Sequence, residues 1–284
     1  MKKIYQNFDQ RELDLQYNAQ ATVGDITPFV EAYERQSSAA RSTLKCHESL
    51  TFGPSPEETL DLFPAQKNAP LFVFIHGGYW RMLSKNESSF MANNFVDNGV
   101  AVAAVNYTLR PKATLDQIVS EIRRSISWLY YNCQDYGYNP DRIYIAGSSA
   151  GGHLAGMLVS GGWQKEFSVP EDVIKGAMLL SGLYDLEPVA LSFANEWMEL
   201  DTADVNRNSP LHLLPNRGCP LIISYGGSET SEFKRQSNDY ASKWQAAGFN
   251  ADCFERTERN HFDIPLELAE TGSVLAKKML GLII

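Results

Sequence analysis

The sequence predicts an α/β fold, with a mostly parallel central sheet of about eight strands, helices on both faces and a small cap. Two observations predict it. From Leu71 onward, short apolar runs alternate with helix-length amphipathic stretches, the pattern of successive βαβ units. The runs are nearly unbroken in Val, Ile, Leu, Ala and Phe, as strands covered on both faces must be. At 284 residues, one such sheet accounts for residues 1–284 as a single domain.

Ser49 to Gly53 and Glu58 to Leu62 read as an antiparallel hairpin at the sheet edge. Leu71 to Ile75, bounded by Pro70 and by Gly77-Gly78, reads as a buried strand, and Val100 to Val105 as another. Ser84 to Val96, between them, has helical composition and is expected to cross over. Ile118, Val119, Ile122, Ile126, Leu129 and Tyr130 recur at three- and four-residue spacing, which puts them on one helix face. Arg142 to Ala146 follows as a strand, and Ala150, Leu154, Met157 and Leu158 mark the next amphipathic helix. Ile174 to Leu180, Pro220 to Ser224 and Ala251 to Phe254 complete the strands. Pro265 to Leu280 reads as a last helix with Pro265 in its first turn. Residues 1–41 and 183–217 break the alternation, being polar, aromatic and interrupted by Pro or Asp. They are expected to cover the strand C-termini, the second as a lid-like insertion, where ligands bind in such sheets.

The formal net charge of −9 argues against a nucleic-acid or anionic-membrane partner, both of which require clustered Lys and Arg. A small molecule is the expected partner, and a homodimer is expected only from the frequency of twofold assemblies. Cys46, Cys133, Cys219 and Cys253 are widely spaced and form no C-x-x-C pair, so reduced thiols in a cytoplasmic protein are expected. The basic start, Met1-Lys2-Lys3, leads into polar sequence without an apolar targeting segment.

Ile143 through Gly152 reads as a strand, a G-x-S-x-G turn and the start of a helix, with Ser149 at the centre and Ser148 as the rival hydroxyl. The glycines fit a sharp turn whose flanking side chains would collide with neighbouring elements. A helix beginning at the serine aims its N–H groups and dipole at developing negative charge. The bland alternative is a Gly/Ser connecting loop. His76-Gly77-Gly78-Tyr79-Trp80, 71 residues upstream, offers backbone amides near Gly77, Gly78 and Tyr79 as oxyanion donors, with the Ala150 amide as another. Alone, it would read as a Gly-Gly turn with an aromatic anchor. His76 is expected to orient that loop.

Chain order of serine, acid, histidine leaves three of the five histidines. His153, four residues after Ser149, is expected to pack, and His212 sits in a Pro-flanked stretch. His261 lies between the last strand and the last helix, where a general base belongs. For the acid, Glu229 and Glu232 stand 32 and 29 residues before His261, and Asp185 follows the preceding strand. Glu229 is best placed after the Pro220–Ser224 strand; Glu232 is drawn into the helix that follows. Tyr79, Trp80 and Trp197 are expected to offer aromatic faces to a substrate or else to pack.

His76 to Trp80, Ser88 to Ala92, Asn106 to Leu109 and Gly147 to Leu154 together resemble the kynurenine formamidase (arylformamidase) family, a branch of the hormone-sensitive-lipase-like esterases with the α/β-hydrolase fold. Ser181 to Leu186, Glu232 to Ser237, His261 to Ile264 and Leu15 to Asn18 extend the likeness over most of the chain. The resemblance implies a metal-free, cofactor-free Ser–Asp/Glu–His hydrolase with nucleophile Ser149, base His261 and acid Glu229. Many members carry Asp where Glu229 stands, so the acid is the point of departure. The implied reaction is removal of a formyl group from an aryl amide, as from N-formylkynurenine. A carboxylesterase or amidase for short acyl groups and an inactive binding member of the fold are the alternatives.

Overall fold

The computed structural model describes residues 2–284. Eight strands form one sheet: β1 (His47–Thr51), β2 (Thr59–Phe63), β3 (Ala69–Ile75), β4 (Ala101–Val105), β5 (Tyr138–Ser148), β6 (Ile174–Leu180), β7 (Leu221–Gly226) and β8 (Ala251–Arg256). Their order is β1-β2-β4-β3-β5-β6-β7-β8. β1 pairs with β2, and β2 with β4, antiparallel; the remaining pairs are parallel. The expected hairpin thus forms at the sheet edge, displaced by one or two residues from its expected bounds.

The central strands bury both faces, which explains their unbroken apolar runs. Along β3, Leu71, Val73 and Ile75 enter one core layer while Phe72 and Phe74 enter the other, following the two-residue period of a strand. The Leu115–Tyr131 helix starts at a capping box between Thr114 and Gln117 and buries Ile118, Val119, Ile122, Ile126 and Leu129. The opposite layer receives Leu275, Met279 and Ile283 from the final helix.

Two helix expectations are corrected. Ser84 to Val96 is not one crossover helix but a 3-10 turn, Lys85–Glu87, and a short helix, Ala92–Asp97. Ser84 and Glu87 close a capping box on the turn, and Lys85 folds inward to pair with the buried Asp61 at 2.7 Å. The C-terminal stretch likewise divides into a 3-10 helix, Ile264–Leu268, and an α-helix, Val274–Ile283. Between them Gly272 takes φ +82, a conformation that ends a helix, and Ser273 caps the new one. Pro265 does occupy the first turn of the 3-10 helix.

Residues 10–17 and 27–43 form helices, as do three short pieces within 187–208. These two segments bind one another: the Phe193 N–H donates to Asp14 at 2.7 Å and the Gln10 amide donates to the Leu191 carbonyl at 2.9 Å. Among the described residues no helix is long and apolar enough to cross a membrane.

Candidate active site

At the C-terminal end of β5 the chain turns sharply into the Ala150–Val159 helix. Ser149 occupies the turn at φ +57, ψ −118, a strained conformation for a residue with a side chain. The surrounding glycines explain how it is tolerated. A Cβ on Gly147 would lie 2.1 Å from the Gly151 carbonyl oxygen, and one on Gly151 would lie 2.1 Å from that of Ile75. The Ser149 N–H donates to the Leu180 carbonyl of β6 at 2.8 Å, tying the turn to the sheet. Ser149 Oγ hydrogen-bonds to no other side chain among the described residues, and the residue is 7% exposed.

Directly after β3, Gly77 runs beside this turn; a Cβ there would lie 3.3 Å from that of Ser149. Gly78 takes φ +98, then Tyr79 and Trp80 take φ +52 and +57. Among the described residues, no protein group accepts from the N–H of Gly77, Gly78, Tyr79 or Ala150. Such unengaged amides, on a loop that runs beside the serine turn, are suited to receive negative charge. His76 fixes the loop from behind. Its Nδ1 contacts the Gly77 carbonyl at 2.8 Å, its ring stacks on Tyr107 at 4.1 Å, and burial pushes its pKa down to about 4. It is therefore neutral near pH 7.

His261 enters from the loop after β8. Asn260 and Asp263 lock that loop: the Asn260 N–H donates to Asp263 at 2.6 Å, while the Asn260 side chain accepts from the N–H groups of Phe262 and Asp263 at 2.8 and 3.1 Å. Glu229 meets His261 from the loop after β7, with its Oε2 2.8 Å from His261 Nδ1. Its other oxygen accepts from Ser181 Oγ and from the Gly226 N–H, both at 2.6 Å. Close backbone approach makes this pairing possible. A Cβ on Gly226 would lie 2.6 Å from the Arg259 carbonyl, and one on Gly227 would lie 2.4 Å from that of Thr257.

The other acids lie elsewhere. Glu232 accepts from Tyr17 at 2.9 Å and pairs with Arg235 at 2.8 Å. Asp185 accepts from the Glu187 N–H and from Tyr5. Of the other histidines, His153 is fully buried, contacts the Asn208 carbonyl at 2.7 Å and has its pKa pushed down to about 4 by burial. His212 is exposed, and His47 lies on β1 against Tyr136.

Ser149 and His261 line one pocket of about 110 Å³ with Gly77, Gly78 and Tyr79. Tyr79 donates to the Tyr17 carbonyl at 2.5 Å and meets Trp197 edge-on at 5.5 Å; the Trp197 indole N–H donates back to the Tyr79 carbonyl at 3.2 Å. For Trp80, expected to face a substrate or else to pack, the structure takes packing and removes it from the substrate-binding set. Its neighbour Tyr79 faces the pocket, but the left-handed turn sends the Trp80 ring the other way, fully buried against His153 at 5.1 Å. It cannot touch a ligand there. Sequence reasoning gave no role to Ser181, although its block was among those noted, and did not see that Ile26, Val30 and Tyr33 from the N-terminal segment would line the pocket beside Phe193. Long-range packing of a covering helix leaves no local motif.

A hydroxyl, an imidazole, a carboxylate behind the imidazole and unengaged amides are the groups that acyl transfer requires.

Comparison with known proteins shows the family and the fold. The family model BD-FAE matches residues 60–176. The chain is 32% identical to the kynurenine formamidase of Danio rerio, over 98% of each chain. It is 27% identical to an isoprenylcysteine alpha-carbonyl methylesterase of Arabidopsis thaliana, over 77% of this chain and 57% of that one. A crystal structure from Silicibacter sp. TM1040, described as a thioesterase, superposes with a TM-score of 0.82 at 26% identity, covering 96% of this chain and 98% of that one.

Proposed function

Because the chain belongs to the kynurenine formamidase family of α/β-hydrolase esterases, we propose that Ser149, His261 and Glu229 act as a catalytic triad that removes a formyl group from an aryl amide. The observation that carries the reading is the Glu229–His261 contact at 2.8 Å in a pocket that also holds Ser149 and the glycine loop. His261 takes the Ser149 proton as the oxygen attacks the acyl carbon. Glu229 holds the imidazole tautomer and stabilises the imidazolium. The amides of Gly77, Gly78, Tyr79 and Ala150 supply donors to the oxyanion, each removal of which typically costs ~100- to 1000-fold in rate. His261 then protonates the leaving aryl amine, and water releases formate from the acyl-enzyme by the same steps in reverse roles.

A fluorophosphonate probe should label the wild-type protein at Ser149 and leave Ser149→Ala unlabelled; folded wild-type protein that resists the probe would contradict the triad and favour an inactive binding member. The Ser149→Ala change is expected to lower kcat by roughly 10⁴-fold or more with an unchanged circular-dichroism spectrum. The similarity to a plant methylesterase favours one second reading, a carboxylesterase or amidase for short acyl groups. Comparing kcat/KM for N-formylkynurenine and for short-chain aryl esters separates the two, since ester turnover far above formamide turnover selects the second.

A further inference from the structure

The pocket that holds Ser149 and His261 also holds Arg81, whose guanidinium lies 3.6 Å above the centre of the Trp197 ring. Resting on the acyl-transfer reading of this site, we propose that Arg81 is a specificity-determining residue that selects aryl substrates bearing a carboxylate away from the scissile bond.

Three observations support this. Among the described residues Arg81 forms no ion pair and its side chain makes no hydrogen bond, whereas most other arginines of this acidic chain are engaged with carboxylates or backbone carbonyls. The other strongly charged group lining the pocket, Glu87, has its Oε2 committed to the Ser84 N–H and hydroxyl, both at 2.9 Å. Among the described residues, Arg81 is the one Lys or Arg lining the pocket, and no carboxylate lies within ion-pair distance of it. Its backbone is tied to the glycine loop, and its exposed side chain lies at the pocket rim. The Arg81 N–H donates to the Gly78 carbonyl at 3.0 Å, so the cation and the glycine-loop amides belong to one turn. The indole lies against the guanidinium at 3.6 Å, and with no protein acceptor on them among the described residues the guanidinium N–H groups are available to a carboxylate, which arginine can grip in two parallel hydrogen bonds. Trp197 in turn meets Tyr79 edge-on, so an aryl group lying along these rings would carry a ring or side-chain carboxylate toward Arg81.

The test uses matched pairs of substrates that differ in one carboxylate: 4-acetoxybenzoate against phenyl acetate, and N-formylkynurenine against formanilide. Wild-type protein should favour the anionic member of each pair, chiefly through KM. Arg81→Gln should lower that anionic-to-neutral ratio of kcat/KM about tenfold, since a charge-assisted contact typically contributes that much, and Arg81→Lys should restore part of it. Added salt should erode the ratio in wild type and not in Arg81→Gln, because a charge at the pocket rim is screened. Equal losses for both members of a pair, or a ratio unmoved by Arg81→Gln, would overturn the proposal. If the ester pair responds while neither formamide is turned over, Arg81 keeps its role and the formamidase reading fails. Protection against fluorophosphonate labelling needs no turnover: benzoate should protect wild type better than benzamide does, and Arg81→Gln should abolish the difference, whereas equal protection in both proteins would refute the role.

Discussion

Ser149, His261 and Glu229 stand on sheet ends and glycine turns that close backbone approach brings together, whereas Tyr79, Trp197 and Arg81 meet largely through their side chains. On the first wall, glycines at 147, 151, 226 and 227 let main chains approach so closely that a Cβ would meet a carbonyl at 2.1 to 2.6 Å. On the second, an indole bridges a tyrosine carbonyl and an arginine face, and the covering segments at 10–43 and 187–208 supply the remaining contacts. A wall set by backbone cannot drift without disturbing the sheet. A wall set by side chains on a loop and a short helix can change residue by residue. The contrast assigns chemistry to the first wall and substrate choice to the second, in keeping with how sites are grafted onto shared folds.

The sharpest way to break the comparison lies on the first wall, where two glutamates three residues apart have different surroundings. Glu229→Gln keeps the shape but loses the carboxylate at His261, and kcat is expected to fall by roughly 10³- to 10⁴-fold, as for carboxylates in comparable triads. Glu232→Gln should leave kcat within about threefold, because its carboxylate faces Tyr17 and Arg235. It should instead lower stability by about 1–3 kcal/mol in urea titrations, having left Arg235 without its buried partner. The reverse ranking in kcat would move the acid to Glu232.

Trp80 and Tyr79 are neighbours in sequence on opposite sides of the boundary. Trp80→Ala should cost about 3–5 kcal/mol of stability, the usual penalty for emptying a buried aromatic site, measured by denaturant unfolding. Because the ring packs on His153 and not in the pocket, KM for an aryl substrate should hold in the fraction that remains folded. A changed KM with unchanged stability would place Trp80 on the substrate wall after all.

Legibility followed the same boundary. The strands, the Ser149 turn, the glycine loop and His261 were all readable because each rests on a local pattern with a local physical cause: unbroken apolar runs, glycines at fixed offsets, a histidine between the last strand and helix. Glu229 was readable only as the best placed of three acids, since the choice depends on Ser181 and the Gly226 N–H converging from separate loops. For Trp80 the choice between substrate and packing was not readable, because HGGYW gives no indication that two consecutive residues at positive φ send adjacent rings in opposite directions. The division of the last helix at Gly272 was missed for a related reason. The buried Glu267, which draws both Arg256 and Arg259 to one oxygen at 2.8 and 2.9 Å, stabilises the 3-10 turn before it.

Acid should loosen the scaffold behind the first wall. His76 and His153 are buried with pKa values near 4, below the ordinary histidine value of about 6.5. Between those values the unfolded chain binds protons that the folded chain does not, so stability rises with pH across that window and is lost as pH falls from about 6.5 toward 4. The loss for each histidine is of order 3 kcal/mol. His153→Gln should flatten the slope of unfolding free energy against pH in that range; an unchanged slope would mean that the folded protein admits the proton.

The smallest expected effect is the one most specific to the second wall. Trp197 is half-buried, touches Tyr79 and Phe193 edge-on and carries Arg81 on its face. It lies on a helix of four residues, Asn195–Met198, and little of the core depends on it. Trp197→Ala should therefore raise KM for an aryl substrate by about tenfold, as loss of an aromatic contact of roughly 1 kcal/mol or somewhat more implies. The turnover number for a short alkyl ester, which has no ring to stack, should stay nearly constant. Trp197→Phe, which keeps an aromatic face but not the hydrogen bond to the Tyr79 carbonyl, separates stacking from loop support. If phenylalanine restores KM, the ring face selects the substrate. If it does not, and kcat falls as well, Trp197 acts by holding the Tyr79 carbonyl and hence the amides beside it, and the two walls are mechanically one.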